Sequence, residues 1–128
     1  MSVITGIVTK TGREKMAKAR AGEITLPKIM YMAFGDGACD ETGNVIPPAM
    51  DQVTLSNELM RKEIESHNFP ISTTCRYKAR LSEGELSNIG INEVALIDSE
   101  GDVVGIKCFK NKYKDEDMEM VFEIDDEF

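Results

Sequence analysis

Residues 89–109, IGINEVALIDSEGDVVGIKCF, decide how the rest of the chain is read. Two short, β-branched runs, Val94 to Ile97 and Val103 to Ile106, flank Asp98-Ser99-Glu100-Gly101-Asp102. Gly101 can supply the positive φ of a tight reversal, and Asp98 can hydrogen-bond its own backbone. The stretch therefore predicts a central hairpin near 94–109. Its arms are apolar on nearly every residue, so each is expected to be covered on both faces, by a helix, a second sheet or another subunit. Glu93 enters this apolar run as a carboxylate in need of a partner, for which Arg61, Arg76 and Arg80 are the candidates.

Upstream, residues 1–8 alternate weakly, as a short strand or an ordered arm would. Thr11-Gly12-Arg13-Glu14 fits a capping box ahead of a helix over 13–21, with Gly22 as its stop. Lys28 to Phe34 is almost continuously apolar and predicts a central strand that ends at Gly35-Asp36-Gly37. From Asp36 to Gln52 runs a long loop, of a length that in compact domains is functional or mobile. Thr54 to Met60 fits a short helical turn, and Arg61 to His67 does not distinguish helix from strand. After a turn at Asn68 to Pro70, residues 71–81 alternate as a half-buried strand. Lys110 to Asp117 reads as a charged loop and Met118 to Ile124 as the last strand. The sum is an α+β domain over 1–128: an N-terminal helix packed on a mostly antiparallel sheet of about five to six strands.

Composition narrows the function. A formal net charge of −8 disfavours nucleic acid and anionic membrane surfaces as partners. No apolar run approaches the roughly 18–20 residues of a membrane span, and no signal peptide is visible. The three cysteines, Cys39, Cys75 and Cys108, are far apart and form no zinc or disulfide pattern. Cys75 and Cys108 read as buried thiols and Cys39 as the loop thiol. His67 is the only histidine and has no nucleophile motif beside it. No phosphate-binding glycine loop is present. Asp36, Asp40 and Glu41 have the composition, but not the spacing, of a calcium loop. No enzyme activity and no cofactor is expected. The alternative is a small metal- or ligand-binding module built on the acidic loop 36–41. The Met-rich composition suits either plain core filling or surfaces that pack on partners. Met118, Met120 and Phe122, sharing one side of the last strand, and Val45 and Ile46 in the long loop, are the candidate partner interface.

Four stretches, in order, resemble the N-terminal domain of phage tail-collar fibre proteins, the baseplate-proximal part of tail fibres in contractile-tailed phages and phage-tail-like bacteriocins. The first is Thr9 to Ala19, similar to that family's T-x-x-G start of an Ala-rich helix. The second is the strand from Ile29 to Phe34 running into Gly35-Asp36-Gly37. The third is Thr54-Leu55-Ser56-Asn57-Glu58 followed by Arg61. The fourth is Ile91-Asn92-Glu93-Val94-Ala95-Leu96-Ile97-Asp98 through Gly101 and Val104, where Ala95 replaces a frequent Gly. The resemblance implies a structural role: a tail-fibre attachment domain, assembled as a homotrimer, that contacts other tail or baseplate proteins. It implies synthesis in the bacterial cytoplasm and assembly into a virion or phage-tail-like particle.

Overall fold

A computed structural model of the protein describes residues 6–128. It contains β1 (Gly6–Val8), α1 (Lys10–Arg20), β2 (Ile29–Gly35), β3 (Glu58–Glu63), β4 (Ser66–Ile71), β5 (Thr74–Leu81), β6 (Ile91–Asp98), β7 (Val103–Lys112) and β8 (Met120–Glu127). The strands form two sheets, one of five strands in the order β1-β7-β6-β2-β3 and one of three in the order β4-β5-β8. Every strand pair is antiparallel. The expected single sheet of five to six strands is thus corrected: among the described residues there are eight strands in two layers, with one short helix. Of the arm expected at 1–8, Gly6–Val8 is β1 and the rest lies outside the described residues.

The central hairpin forms as the sequence predicts. β6 and β7 pair from Ile91↔Lys112 to Ile97↔Val103. Gly101 turns at φ +87°. Asp98 Oδ1 accepts the N–H groups of Glu100 (3.0 Å) and Asp102 (3.1 Å), which sets the reversal. All eight residues of β6 are buried. On one face Val94 and Leu96 pack with Met32 and Phe34 of β2 against Ala79, Leu81, Phe122 and Ile124 of the three-stranded sheet. Phe34 and Phe122 meet edge to face across the two layers, ring centroids 5.1 Å apart. On the other face Ala33, Ala95, Ile97 and Ile106 pack under Ala38, Val45 and Leu55. The long loop, not a helix, is therefore the cover on that side.

The helix begins earlier than the capping box suggests. Its N-cap is Thr9, whose hydroxyl accepts the Gly12 N–H at 3.1 Å. The same hydroxyl donates to Val103 O (2.9 Å), and the Thr9 N–H donates to Val104 O (3.0 Å). Thr9 wins over Thr11 because it caps the helix and docks it on β7 with one side chain. Gly12 then lies against β7 so closely that a Cβ would sit 2.7 Å from Val104 O. At the other end Gly22 takes φ +82° and closes the helix, as expected.

The stretch 54–71 departs most from expectation. Glu58–Glu63 is not a helical turn but an edge strand paired with β2. Ser66–Ile71 is a strand too, paired with β5, so the chain reverses at Ser72-Thr73 and not at Asn68 to Pro70. Pro70 is tolerated because β4 is the edge of its sheet among the described residues and Pro70 falls where its register with β5 shifts, between Asn68 and Ile71. β7 reaches Lys112, into the stretch expected as a charged loop, and β8 runs from Met120 to Glu127, shifted along from the expected Met118 to Ile124. Lys114, on the connection between them, is buried, and its ammonium donates to Ser87 Oγ, Asp115 O and Met118 O at 3.0–3.3 Å.

The interlayer contact of Phe34 dominates the core. Phe34→Ala is expected to lower unfolding free energy by about 3–5 kcal/mol, the usual cost of emptying a buried phenylalanine site. Urea titration of both proteins measures it, and a loss below about 1 kcal/mol would show that the two layers do not depend on this contact.

Candidate functional site

Glu93 is fully buried in the centre of β6. No arginine approaches it: Arg61 pairs with Glu58, Arg76 with Asp125 and Glu123, and Arg80 with Glu65 and Glu119. The expected Arg61, Arg76 or Arg80 partner is thus corrected. The carboxylate instead accepts three backbone N–H groups, from Gly37 (2.9 Å), Ser56 (2.8 Å) and Asn57 (2.9 Å). These donors lie at the two ends of the 36–57 loop, so one side chain ties both ends to the sheet. Asn92 adds a second tie. Its Oδ1 accepts the Ala38 N–H at 2.8 Å, and its Nδ2 donates to Asp36 O and Asn111 Oδ1. The glycines follow from this packing. A Cβ on Gly35 would fall on Asn57 O and on the Glu93 carboxylate, and one on Gly37 would meet Ser56 Cβ at 2.7 Å.

The pinned loop carries the candidate interface only in part. Ile46 is exposed, and Val45 is half-buried and packs into the core beneath it. Met50 and Val53, not singled out from sequence, are exposed in the same loop. Met118 is exposed and precedes β8, Met120 is half-buried, and Phe122 is turned into the core with little of its ring at the surface. Cys39 is half-buried, its thiol 3.5 Å from Phe109 O. Cys75 and Cys108 are buried, as expected, and burial pushes the Cys108 thiol up to about 11.

The acidic end of the loop does not converge on an ion site. Asp40 Oδ1 accepts from Thr42 Oγ1 (2.7 Å) and from the N–H groups of Thr42 and Asn44 (2.9 Å each). These bonds, the Thr42 hydroxyl first, lower its pKa. Asp36 accepts from Asn57 Nδ2 at 2.7 Å. Among the described residues the acidic groups close enough to share a cation are Asp98, Glu100 and Asp102, at the hairpin turn. They already hold one: Lys15 of α1 places its ammonium 2.6 Å from Asp98, 3.0 Å from Glu100 and 2.7 Å from Asp102. Burial pulls the Lys15 pKa down, but the hydrogen bonds to Asp102, Asp98 and Glu100 outweigh it and hold the group above its ordinary value. The lysine is a built-in counter-ion that fastens the helix to the hairpin.

A cleft of about 750 Å3 opens where the helix and the three-stranded sheet lie side by side on the large sheet. Met16, Leu26, Ile29 and Val104 line it on one side, and Cys75, Tyr77, Asp126 and Phe128 on the other. His67 stands at its rim between two rings, 5.9 Å from Tyr77 and 6.0 Å from Phe69. Among the described residues no hydrogen bond joins His67 to Cys75, Tyr77 or Asp126. The histidine is therefore part of an aromatic edge and not of a nucleophile–base pair.

Two substitutions test these anchors. Glu93→Ala leaves three N–H donors without their acceptor and is expected to cost about 3–5 kcal/mol. Limited proteolysis is expected to open the 36–57 loop first; an uncut loop at wild-type stability would refute the anchor. Lys15→Met leaves three carboxylates facing one another. That variant is expected to melt lower than wild type and to regain stability in millimolar calcium, which should not change wild-type melting. Calcium stabilising both proteins equally would place the cation elsewhere.

The geometry gives a physical meaning to each of the four motifs. Thr9 caps and docks the helix and Gly12 allows its close approach. Gly35-Asp36-Gly37, Ser56-Asn57 and Asn92-Glu93 meet in one hydrogen-bonded cluster. No curated protein matches the chain. The family model described as phage tail-collar fibre protein, N-terminal, matches residues 1–123. The chain belongs to the phage tail-collar fibre protein N-terminal family, whose members have a structural role in phage tails.

Proposed function

We propose that the protein is a non-catalytic attachment domain, which joins a fibre or adaptor to the baseplate of a phage tail or phage-tail-like bacteriocin through protein–protein contacts. Made in the bacterial cytoplasm, it acts as a homotrimer within a contractile particle. The family match supports the tail setting. The observation that carries the contact is the anchored loop. Its backbone is held by buried polar ties at both ends, yet along it Ile46 (50 %), Met50 (48 %) and Val53 (66 %) are each exposed to solvent. Fixing a loop this firmly while leaving its apolar side chains in water suits a surface made to be covered. Met118 offers a smaller exposed contact of the same kind.

Changing Ile46 and Met50 together to Asp tests the reading. Both side chains are exposed, so stability should change by no more than about 0.5 kcal/mol per site. The double variant is expected to be missing from purified particles and to lose its trimer in size-exclusion chromatography with light scattering. Normal incorporation and an unchanged oligomer would remove the loop from the interface.

A further inference from the structure

The three-stranded sheet is longer than the core beneath it. Along its inner face Ala79, Leu81, Phe122 and Ile124 are buried against the large sheet. Farther along the same strands, the paired residues Cys75 and Asp126, with Tyr77 beside them, face the cleft instead. The opposite wall is apolar, formed by Met16, Leu26, Ile29 and Val104. At the mouth Phe69 (63 % exposed) and Phe128 (67 %) leave their rings in water. A polypeptide lying across the mouth would cover these rings.

The charges are as uneven as the walls. On the outer face of the same sheet Asp125 pairs with Arg76, Glu123 with Arg76 and Lys78, and Glu119 with Arg80. Asp126 has no salt bridge among the described residues, and burial alone raises its pKa. Of the other charged groups in the lining, Lys15 is committed to Asp98, Glu100 and Asp102 and Glu65 to Arg80, while Lys28 and Glu63, both exposed, form no salt bridge among the described residues and offset one another in charge. The cleft therefore offers apolar surface and an excess of one carboxylate, with Asp126 the half-buried acid inside it and Lys28 and Glu63 exposed to solvent. Its complement is an apolar segment with a single cation.

We propose that this cleft is a docking groove for a segment of a neighbouring tail protein, which fills it with apolar side chains and sets one lysine or arginine against Asp126. The proposal rests on the reading of the domain as an attachment module and places a second contact on it, separate from the loop that bears Ile46 and Met50. Its volume lies within the range of about 300–1,000 Å3 typical of specific pockets. The paired cation would supply the hydrogen-bonded partner that a desolvated carboxylate lacks.

The test is an NMR titration of the full chain with acetyl-Gly-Leu-Phe-Lys-Leu-Gly-amide and with its norleucine and glutamate counterparts at the lysine position. Shifts are expected at His67, Phe69, Tyr77 and Phe128, with the lysine peptide bound roughly tenfold more tightly than the norleucine one and the glutamate peptide weakest. In Asp126→Asn, which keeps the shape of the site, the preference for lysine should fall to about onefold while the protein melts no lower than wild type. No binding, shifts elsewhere, or equal affinity for the three peptides would overturn the proposal. So would contacts from residues 1–5, or from a second copy of the chain, filling the groove in the free protein. The two readings fail separately. If the peptide binds as described but Ile46→Asp/Met50→Asp still enters particles, the groove stands and the loop interface falls. If the loop variant is excluded while no peptide binds, the reverse holds.

Discussion

One carboxylate decides whether the long loop belongs to the fold. Glu93 sits in the middle strand of the large sheet with no cation beside it, and it is tolerated there because three main-chain N–H groups surround it. Such charge-assisted bonds are worth more than neutral ones, and a buried carboxylate without them would be costly. The arrangement works in both directions. The sheet obtains a cover for Ala33, Ala95, Ile97 and Ile106, and 36–57 obtains a fixed path despite having almost no regular structure. Without Glu93 only the Asn92 tie and the Leu55 and Ala38 contacts would hold that end of the path.

The helix is fastened by the same logic at the opposite end of the hairpin. There the buried acid is Asp98, and its cation is supplied from within the chain by Lys15. Asp98 divides its work: Oδ1 sets the turn through two N–H groups, and Oδ2 receives the ammonium. Helix, turn and strand are thus locked by a handful of polar contacts set around an apolar hairpin. The exposed ion pairs on the outer face of the three-stranded sheet contribute far less each, because water and salt screen them.

Much of this was legible in the residues. The hairpin announced itself because its turn chemistry is local: Gly101 and Asp98 carry their instructions in their own side chains and backbone. The buried strand β2 was visible from its apolar run. The partner of Glu93 was not, because a backbone N–H has no letter; the signals that could have pointed to it were the glycines at 35 and 37 and the turn residues at 56 and 57. β3, with the sequence ELMRKE, is made largely of good helix formers and is held extended by its pairing with β2, a case where tertiary context overrides propensity. β4 hid for another reason: with every side chain exposed and a proline inside, it has no alternation to read. The cleft follows from how two layers part company, and single-chain periodicity holds no record of that.

Pro70 has a consequence for crowding. Unpaired strand edges invite the same edge of another molecule, and where many copies gather on one scaffold that invitation leads to fibres. Pro70 has no N–H and sits where the register of β4 slips between Asn68 and Ile71, so β4 offers a broken and irregular ladder rather than a flat one. Copies held close together are steered away from endless stacking through this border and toward contacts made by side chains, which stop when the surfaces are filled.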